Sequence, residues 1–244
     1  MPFNFSNPYL LILVCILIIE HLSTYLNNPK MLLNLILTIP GMLVAITFHE
    51  FAHAWTADKL GDDTPRRQGR LSLNPLAHLD PFGVILMLTA GFGWGKPVEI
   101  NPYNFYRKIS IKKGNALVSV AGPLMNFALS IIFSIIVGLL IAFSGSFLYT
   151  TTGEVLLQIL ESAIFMNVGL GVFNLIPLYP LDGYKILLFF LPNNARKWCE
   201  EHERVLYIAF MVIWLTPLST MIISPAITAI SNGLLQLIYL IANI

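Results

Sequence analysis

Apolar runs of membrane-spanning length recur from one end of this chain to the other, and they leave few folds open to it. An α-helix rises about 1.5 Å per residue, so about 20 apolar residues cross a hydrocarbon core of about 30 Å. Runs of that scale cover 9–25, 31–60, 115–143, 155–175, 206–223 and 227–244. Only 11% of the 244 residues are charged and 56% are hydrophobic, too little charge to cover a soluble domain of this length. In lipid, each backbone N–H and C=O must be satisfied within the protein, which favours helices. The expectation is an all-α polytopic membrane protein of about six transmembrane helices, with the lipid bilayer as its surroundings. The run 31–60 is long for one crossing and contains Pro40 and Gly41, so a kink or an extension past the membrane is expected. The last two runs could also pair as one helical hairpin.

The formal net charge of +1 provides no dense basic face for phosphates, which argues against a nucleic-acid partner. The basic residues are placed unevenly. Lys59, Arg66, Arg67, Arg70, Lys96, Arg107, Lys108, Lys112 and Lys113 fall between the second and third runs, and Lys185, Arg196, Lys197 and Arg204 between the fourth and fifth. By the positive-inside rule those loops are cytoplasmic, and six crossings would put both termini there too. The first run lacks the basic flank and small-residue cleavage site of a removable signal, so it is read as a retained anchor. Cys15 and Cys199 lie far apart in unlike settings, so no structural disulfide is expected. The segment 83–100 (GVILMLTAGFGWGKPVEI) is apolar but crowded with Gly91, Gly93 and Gly95. It reads as a β-hairpin entering the membrane between the second and third helices, tolerated only beside protein or a water-filled cavity.

His49-Glu50-Phe51-Ala52-His53 supplies H-E-x-x-H inside the second run. Residues i and i+4 share a helix face, so both imidazoles can reach one ion, and Glu50 can take a proton from water on the ion's open side. A pair of structural histidines in a bundle is the bland alternative. An unpaired carboxylate at a helix centre costs roughly 2.5–3.5 kcal/mol on insertion scales, so an intramembrane Glu50 with no task is a poor explanation. Catalytic zinc takes three protein ligands and keeps a fourth position for water. Among the five aspartates, Asp182 stands out in Asn174-Leu175-Ile176-Pro177-Leu178-Tyr179-Pro180-Leu181-Asp182-Gly183, where two prolines break the fourth helix. On these residues alone, a solvated aspartate in a proline-rich surface loop stands beside the ligand reading.

With these two motifs in place, the chain resembles the site-2 protease family of intramembrane zinc metalloproteases. The second motif is similar to that family's N-x-x-P-x-x-x-L-D-G element. The likeness extends through Gly69–Pro81 (GRLSLNPLAHLDP), Gly95-Lys96-Pro97-Val98 and Ala121-Gly122-Pro123-Leu124-Met125-Asn126, and covers roughly residues 40–190. The resemblance implies one Zn2+ ion held by His49, His53 and Asp182, with Glu50 as general base. It implies that the amide of Asn174 stabilises an oxyanion, although helix capping or an interhelical hydrogen bond would equally explain that residue. It also implies that the segment through Gly91, Gly93, Trp94 and Gly95 pairs with an unwound substrate strand.

The expected activity is hydrolysis of peptide bonds within or near transmembrane segments of membrane-protein substrates, as in regulated intramembrane proteolysis at the cell inner membrane. Residues 1–244 read as one membrane-embedded peptidase domain, with a catalytic core at about 31–191 and peripheral helices at 9–26 and 204–244. No PDZ or CBS module is recognisable. His78 and Asp80 read as turn-stabilising, His21 and His202 as surface residues, and Met87, Met125 and Met166 as packing. Trp94, Tyr103 and Tyr106 suit interfacial anchoring, with Trp94 also placed to line a substrate path. A cation transporter would need acidic or histidine residues along several runs, and a structural zinc scaffold would need a fourth ligand. A prenyl-terminus protease would need a second His or Glu motif. None of these is visible.

Overall fold

The structure is a computed structural model, and it describes residue 19 and residues 22–90, 94–214 and 216–244. Most of the first expected span, 9–25, and both Gly91 and Gly93 lie outside the described residues. Four of the described helices are long and apolar enough to cross a membrane: α1 (Pro29–Lys59), α3 (Ile111–Phe143), α4 (Thr151–Asn174) and α8 (Leu218–Ala242). Between them lie α2 (Pro81–Ala90), α5 (Asp182–Phe190), α6 (Asn193–Glu201) and α7 (Glu203–Trp214).

Local chemistry sets where the long helices begin. Asn28 Oδ1 accepts from the Met31 N–H at 3.3 Å, with Pro29 in the first turn, where its missing N–H costs nothing. Ser110 Oγ caps α3 through the Lys113 N–H at 3.3 Å, and Thr150 Oγ1 caps α4 through the Gly153 N–H at 3.2 Å. Pro40, Pro123 and Pro225 lie inside α1, α3 and α8 without ending them. Neighbouring helices can absorb such breaks in membrane bundles.

Helices α1, α3 and α4 pack against one another, and α8 covers α3 and part of α4. The buried faces carry small residues, such as Ala45, Ala52, Ala54 and Ala57 on α1, because lipid gives apolar side chains no reason to hide. Larger side chains such as Ile132, Ile136 and Leu139 on α3 face outward. Where α1 meets α4 the backbones nearly touch: a Cβ added at Gly41 would lie 2.6 Å from Ala163 Cα. The contacts pair His53 with Val118 and His49 with Asn126, so α1 and α3 are antiparallel.

Two expectations are corrected. The first arm of the proposed hairpin is not a strand. Pro81–Ala90 is a helix, opened by Asp80 Oδ1 accepting the Gly83 N–H at 3.0 Å with Pro81 in the first turn. The all-apolar run 83–88 has no period-2 alternation to favour a strand, so the Asp-Pro start signal decides. Residues 94–100 form no regular strand, and their one ladder contact is an isolated antiparallel bridge between Leu79 and Gly95. The runs 206–223 and 227–244 do not form two crossings either. Helix α7 ends at Trp214 and α8 begins at Leu218, and α7, with 12 residues, is about 18 Å long, too short to cross. Helix α8 runs parallel to α3: its start adjoins Phe173 at the end of α4, and Ile241 near its end packs on Gly138.

The polar end of the bundle is stapled by Asp62, which is fully buried just beyond α1. It accepts from the Asn101 N–H at 2.6 Å, Asn104 Nδ2 at 2.9 Å, Thr64 Oγ1 at 2.6 Å and the Thr64 N–H at 3.1 Å. Burial pushes its carboxyl up, but these bonds outweigh that and hold it below the usual carboxylate value. The staple fixes the loop that carries residues 94–104 against α1. Overpacking a tight contact costs ~1–3 kcal/mol, so Gly41→Leu should lower the thermal midpoint in detergent by several degrees. Gly233→Ala, whose added Cβ meets nothing within 4 Å, should leave the midpoint unchanged or raise it.

Candidate metal centre

His49 and His53 stand one turn apart on α1, both nearly buried. Lys59 ends that helix, so the pair lies about 9–15 Å below its polar end at ~1.5 Å per residue. Room for the rings comes from α3. A Cβ at Gly122 would stand 2.6 Å from His49 Cε1 and from His53 Cε1 and Nε2, so any larger residue there would displace both imidazoles.

Asp182 reaches the same place from the other side. Helix α4 ends at Asn174, the chain turns through 175–181, and Asp182 opens α5, where the helix dipole favours a carboxylate. The return is tight: a Cβ at Gly183 would lie 2.4 Å from the carbonyl oxygens of both Leu175 and Ile176. Asp182 Oδ2 stands 3.2 Å from His49 Nε2 and 3.0 Å from His53 Nε2, and the two Nε2 atoms are 3.0 Å apart.

Hydrogen bonds behind the rings fix what these atoms can do. His49 Nδ1 is 2.7 Å from Asn126 Oδ1, and His53 Nδ1 is 2.7 Å from the Val118 carbonyl oxygen. The Asn126 amide is oriented by its own partners, since Nδ2 donates to the Ala45 carbonyl at 3.0 Å and to Asn167 Oδ1 at 2.9 Å. Each Nδ1 therefore faces an acceptor and must carry the proton, which leaves each neutral imidazole a lone pair on Nε2. Two such lone pairs and a carboxylate oxygen converge, and Asp182 Oδ2 is buried with no hydrogen bond from the described residues. One cation satisfies all three at once. A tetrahedral zinc with bonds of ~2.0–2.1 Å puts its ligand atoms ~3.3 Å apart, within a few tenths of an ångström of the separations found here. The residues fit zinc, with three protein ligands and a fourth position left open. Among the described residues no second group of three or more such side chains comes together.

Glu50 lies beside the trio, and its Oε2 accepts the Val98 N–H at 3.0 Å. Arg70, buried, stands 3.9 Å from the same oxygen and donates to the Ala77 and Lys96 carbonyls. One guanidinium thus ties Glu50, the segment 94–100 and the loop before α2 together. Gly95 is part of this fit, since an added Cβ would come 2.8 Å from Ile46 Cγ2 and 3.6 Å from Glu50 Oε1. Trp94, next to it, lines the apolar space beside the centre. Asn174 donates one amide hydrogen to the Leu170 carbonyl of its own helix at 3.1 Å, and the group carries a second. His78 donates Nε2–H to the Ser72 carbonyl at 2.6 Å and is fully buried. His202 meets the Trp198 carbonyl at 2.8 Å.

Sequence reasoning missed Asn126 as the partner that sets the His49 tautomer. Its signals were an asparagine in the middle of the apolar run of α3 and its place at the end of the Ala121–Asn126 motif. Losing a hydrogen-bond partner behind a metal-ligating histidine typically weakens metal binding ~10–100-fold, so Asn126→Leu should raise the zinc dissociation constant by that factor in a competitive chelator titration. Gly122→Val should lower bound zinc further, because it moves both rings.

The model of peptidase family M50 matches residues 144–217, which include Asn174 and Asp182. Three relatives carry the words zinc metalloprotease in their names. YwhC of Bacillus subtilis is 41% identical over 197 residues, which cover 80% of this chain and 88% of YwhC. Rip2 of Mycolicibacterium smegmatis is 29% identical over 185 residues, 75% of this chain and 68% of Rip2. MJ0611 of Methanocaldococcus jannaschii is 29% identical over 214 residues, 87% of this chain and 98% of MJ0611. No solved structure matches the chain. A convergent His-His-Asp trio in an apolar bundle, joined to relatives that align along most of the sequence, makes this chain a zinc metalloprotease of peptidase family M50, the site-2 protease family.

Proposed function

We propose that this zinc metalloprotease cleaves peptide bonds within or near the transmembrane segments of membrane-protein substrates, with His49, His53 and Asp182 as the metal ligands and Glu50 as general base. The observation that carries the reading is the depth of the trio. The two imidazoles that face Asp182 lie about 9–15 Å below the polar end of α1, a depth at which the peptide bonds of a bilayer-embedded substrate are found.

Zinc, when bound, lowers the pKa of its water toward ~7 and polarises the carbonyl to be attacked. Asn126 and the Val118 carbonyl each accept a hydrogen bond from Nδ1–H, which turns both Nε2 lone pairs toward the ion. Glu50 takes the proton from the attacking water, and the water oxygen bonds to the carbonyl carbon. As the C–N bond breaks, Glu50 gives that proton to the leaving nitrogen, so no net charge is left behind. The second amide hydrogen of Asn174 serves the developing oxyanion, a role that suits its place at the end of α4. Arg70 holds Glu50 in position. The Val98 N–H now on Glu50 belongs to the segment 94–100, and in this reading an unwound substrate strand lies against that segment.

The orientation follows the basic loops. With 61–110 and 175–202 cytoplasmic, the trio opens toward the cytoplasm, which supplies the water. Helix α8 then carries the C-terminus to the opposite face. If 9–25 crosses, the N-terminus is cytoplasmic and the crossings number five. Residues 1–244 act as one membrane-embedded peptidase unit, in the cell membrane, in regulated proteolysis of anchored proteins.

The test uses the purified full chain with a single-span peptide in liposomes. Glu50→Gln should retain one zinc per chain and lose ~10²–10⁴-fold in cleavage rate; full turnover would remove Glu50 as the base. Asp182→Ala should lose most of its zinc, and unchanged stoichiometry would take Asp182 out of the ligand set.

A further inference from the structure

An apolar cavity of about 440 Å³ opens beside the metal trio, walled by α1 and α4 on one side and by α7 and the start of α8 on the other. Its wall toward the trio is made of residues that neighbour the chemistry along the chain. Ile46 precedes His49 by one turn, Leu181 precedes Asp182, and Trp94 precedes Gly95, which sits against Ile46 and beside Glu50. Aromatic rings also line it, with Phe173 and Trp214 4.7 Å apart between centroids. Met87 and Met166, expected to be packing, line it instead, and methionine adapts its shape to varied apolar guests.

We infer that this cavity is a specificity subsite that receives large apolar side chains, leucine or phenylalanine, next to the scissile bond of an unwound substrate; the inference rests on the protease reading above. A helix cannot present a carbonyl to a metal until its local hydrogen bonds open. Once they open, the apolar side chains flanking the bond leave their lipid packing and need a dry receptor. The cavity supplies such a receptor within one helical turn or one residue of the trio, at Ile46 and Leu181. A dry apolar cavity of ~150 Å³ already takes up benzene, so about 440 Å³ admits the side chain of leucine or phenylalanine with room for a neighbour. A small residue leaves the space unfilled, and a charged one meets no partner there.

Gly169 on α4 sets the size of the subsite. It lines the cavity, and a Cβ added to it would meet nothing within 4 Å, so a side chain there has open space to grow into. A large side chain at 169 would fill the subsite without pressing on helix backbone.

The experiment uses zinc-loaded full chain in phosphatidylcholine–phosphatidylglycerol liposomes. The probes are synthetic single-span peptides with a central Asn-Gly and one variable neighbour, Ala, Leu, Phe or Asp. Wild type should cleave the Leu and Phe peptides with kcat/KM about tenfold or more above the Ala peptide, the scale of hydrophobic-pocket discrimination, and the Asp peptide least. Gly169→Phe should bring the Phe-to-Ala ratio close to one at equal zinc content. A second arm needs no turnover. Glu50→Gln protein with Gly169→Cys and both native cysteines changed to serine is oxidised with copper phenanthroline beside a peptide bearing one scanned cysteine. Disulfides should form only at positions adjoining the Asn-Gly.

A wild-type enzyme with no side-chain preference, a preference that survives Gly169→Phe, or cross-links spread along the peptide would each overturn the subsite. Localised cross-links without cleavage by zinc-loaded wild type would keep the subsite and remove the protease reading. A phospholipid that copurifies with wild type but not with Gly169→Phe, together with a flat peptide preference, would assign the cavity to an acyl chain and overturn the proposal.

Discussion

Two imidazole lone pairs and a carboxylate oxygen face one another across about 3 Å in an apolar bundle, and much of the molecule is arranged around keeping them there. In water such a cluster would relax by taking up protons or moving apart. Here the Val118 carbonyl and Asn126 fix the protons on the far side of each ring, and the tight return at Gly183 fixes the carboxylate. The fold itself therefore orders the ligand atoms, and binding energy that a looser site would spend on ordering them goes to holding the ion. The same constraint explains the glycines. Gly122 clears space for two rings, and Gly41 lets α1 and α4 approach closely enough for Asn167 to orient Asn126.

A second constraint comes from the solvent. Lipid drives no apolar surface inward, so the bundle is held by close packing, from the backbone contact at Gly41 to the cluster of Val137, Ile164, Val168 and Leu234, and by a few buried polar bonds. Those polar bonds run inward from the centre, His49 to Asn126 to Asn167, and each side chain is satisfied on both sides. The centre thus serves packing and chemistry together, and a change at Asn126 touches both. At the polar end, Arg70 and Asp62 do comparable work in a wetter setting, where they hold the 94–104 loop over Glu50.

What could be read from the sequence follows how local each signal is. The i, i+4 spacing of His49 and His53 carries its own geometry, since a helix leaves those side chains nowhere else to point. The long spans were legible for the same reason, and α3 and α4 begin within four residues of the expected starts. Asp182 was only half legible, because whether a proline-broken loop folds back on α1 or floats in water depends on contacts 130 residues away. Asn126 was not legible at all as a tautomer-setting partner. The segment 83–88 misled because the glycines after it suggested a turn between strands, although Asp80-Pro81 already carried a helix-start signal. The two C-terminal runs were expected to part between 223 and 227, yet Pro225 is absorbed within α8 just as Pro40 is within α1.

The direction of α8 has its own consequence. Because it lies parallel to α3, the last residues emerge on the face of the bilayer that carries residues 144–150, away from the mouth of the metal centre. In the topology proposed above, a label joined to that end would sit in a different compartment from the one that feeds water to the reaction. It would report on the assembled bundle without crowding the entrance, and a tether there could anchor the peptidase to structures on the far face while its chemistry stays open to the near one.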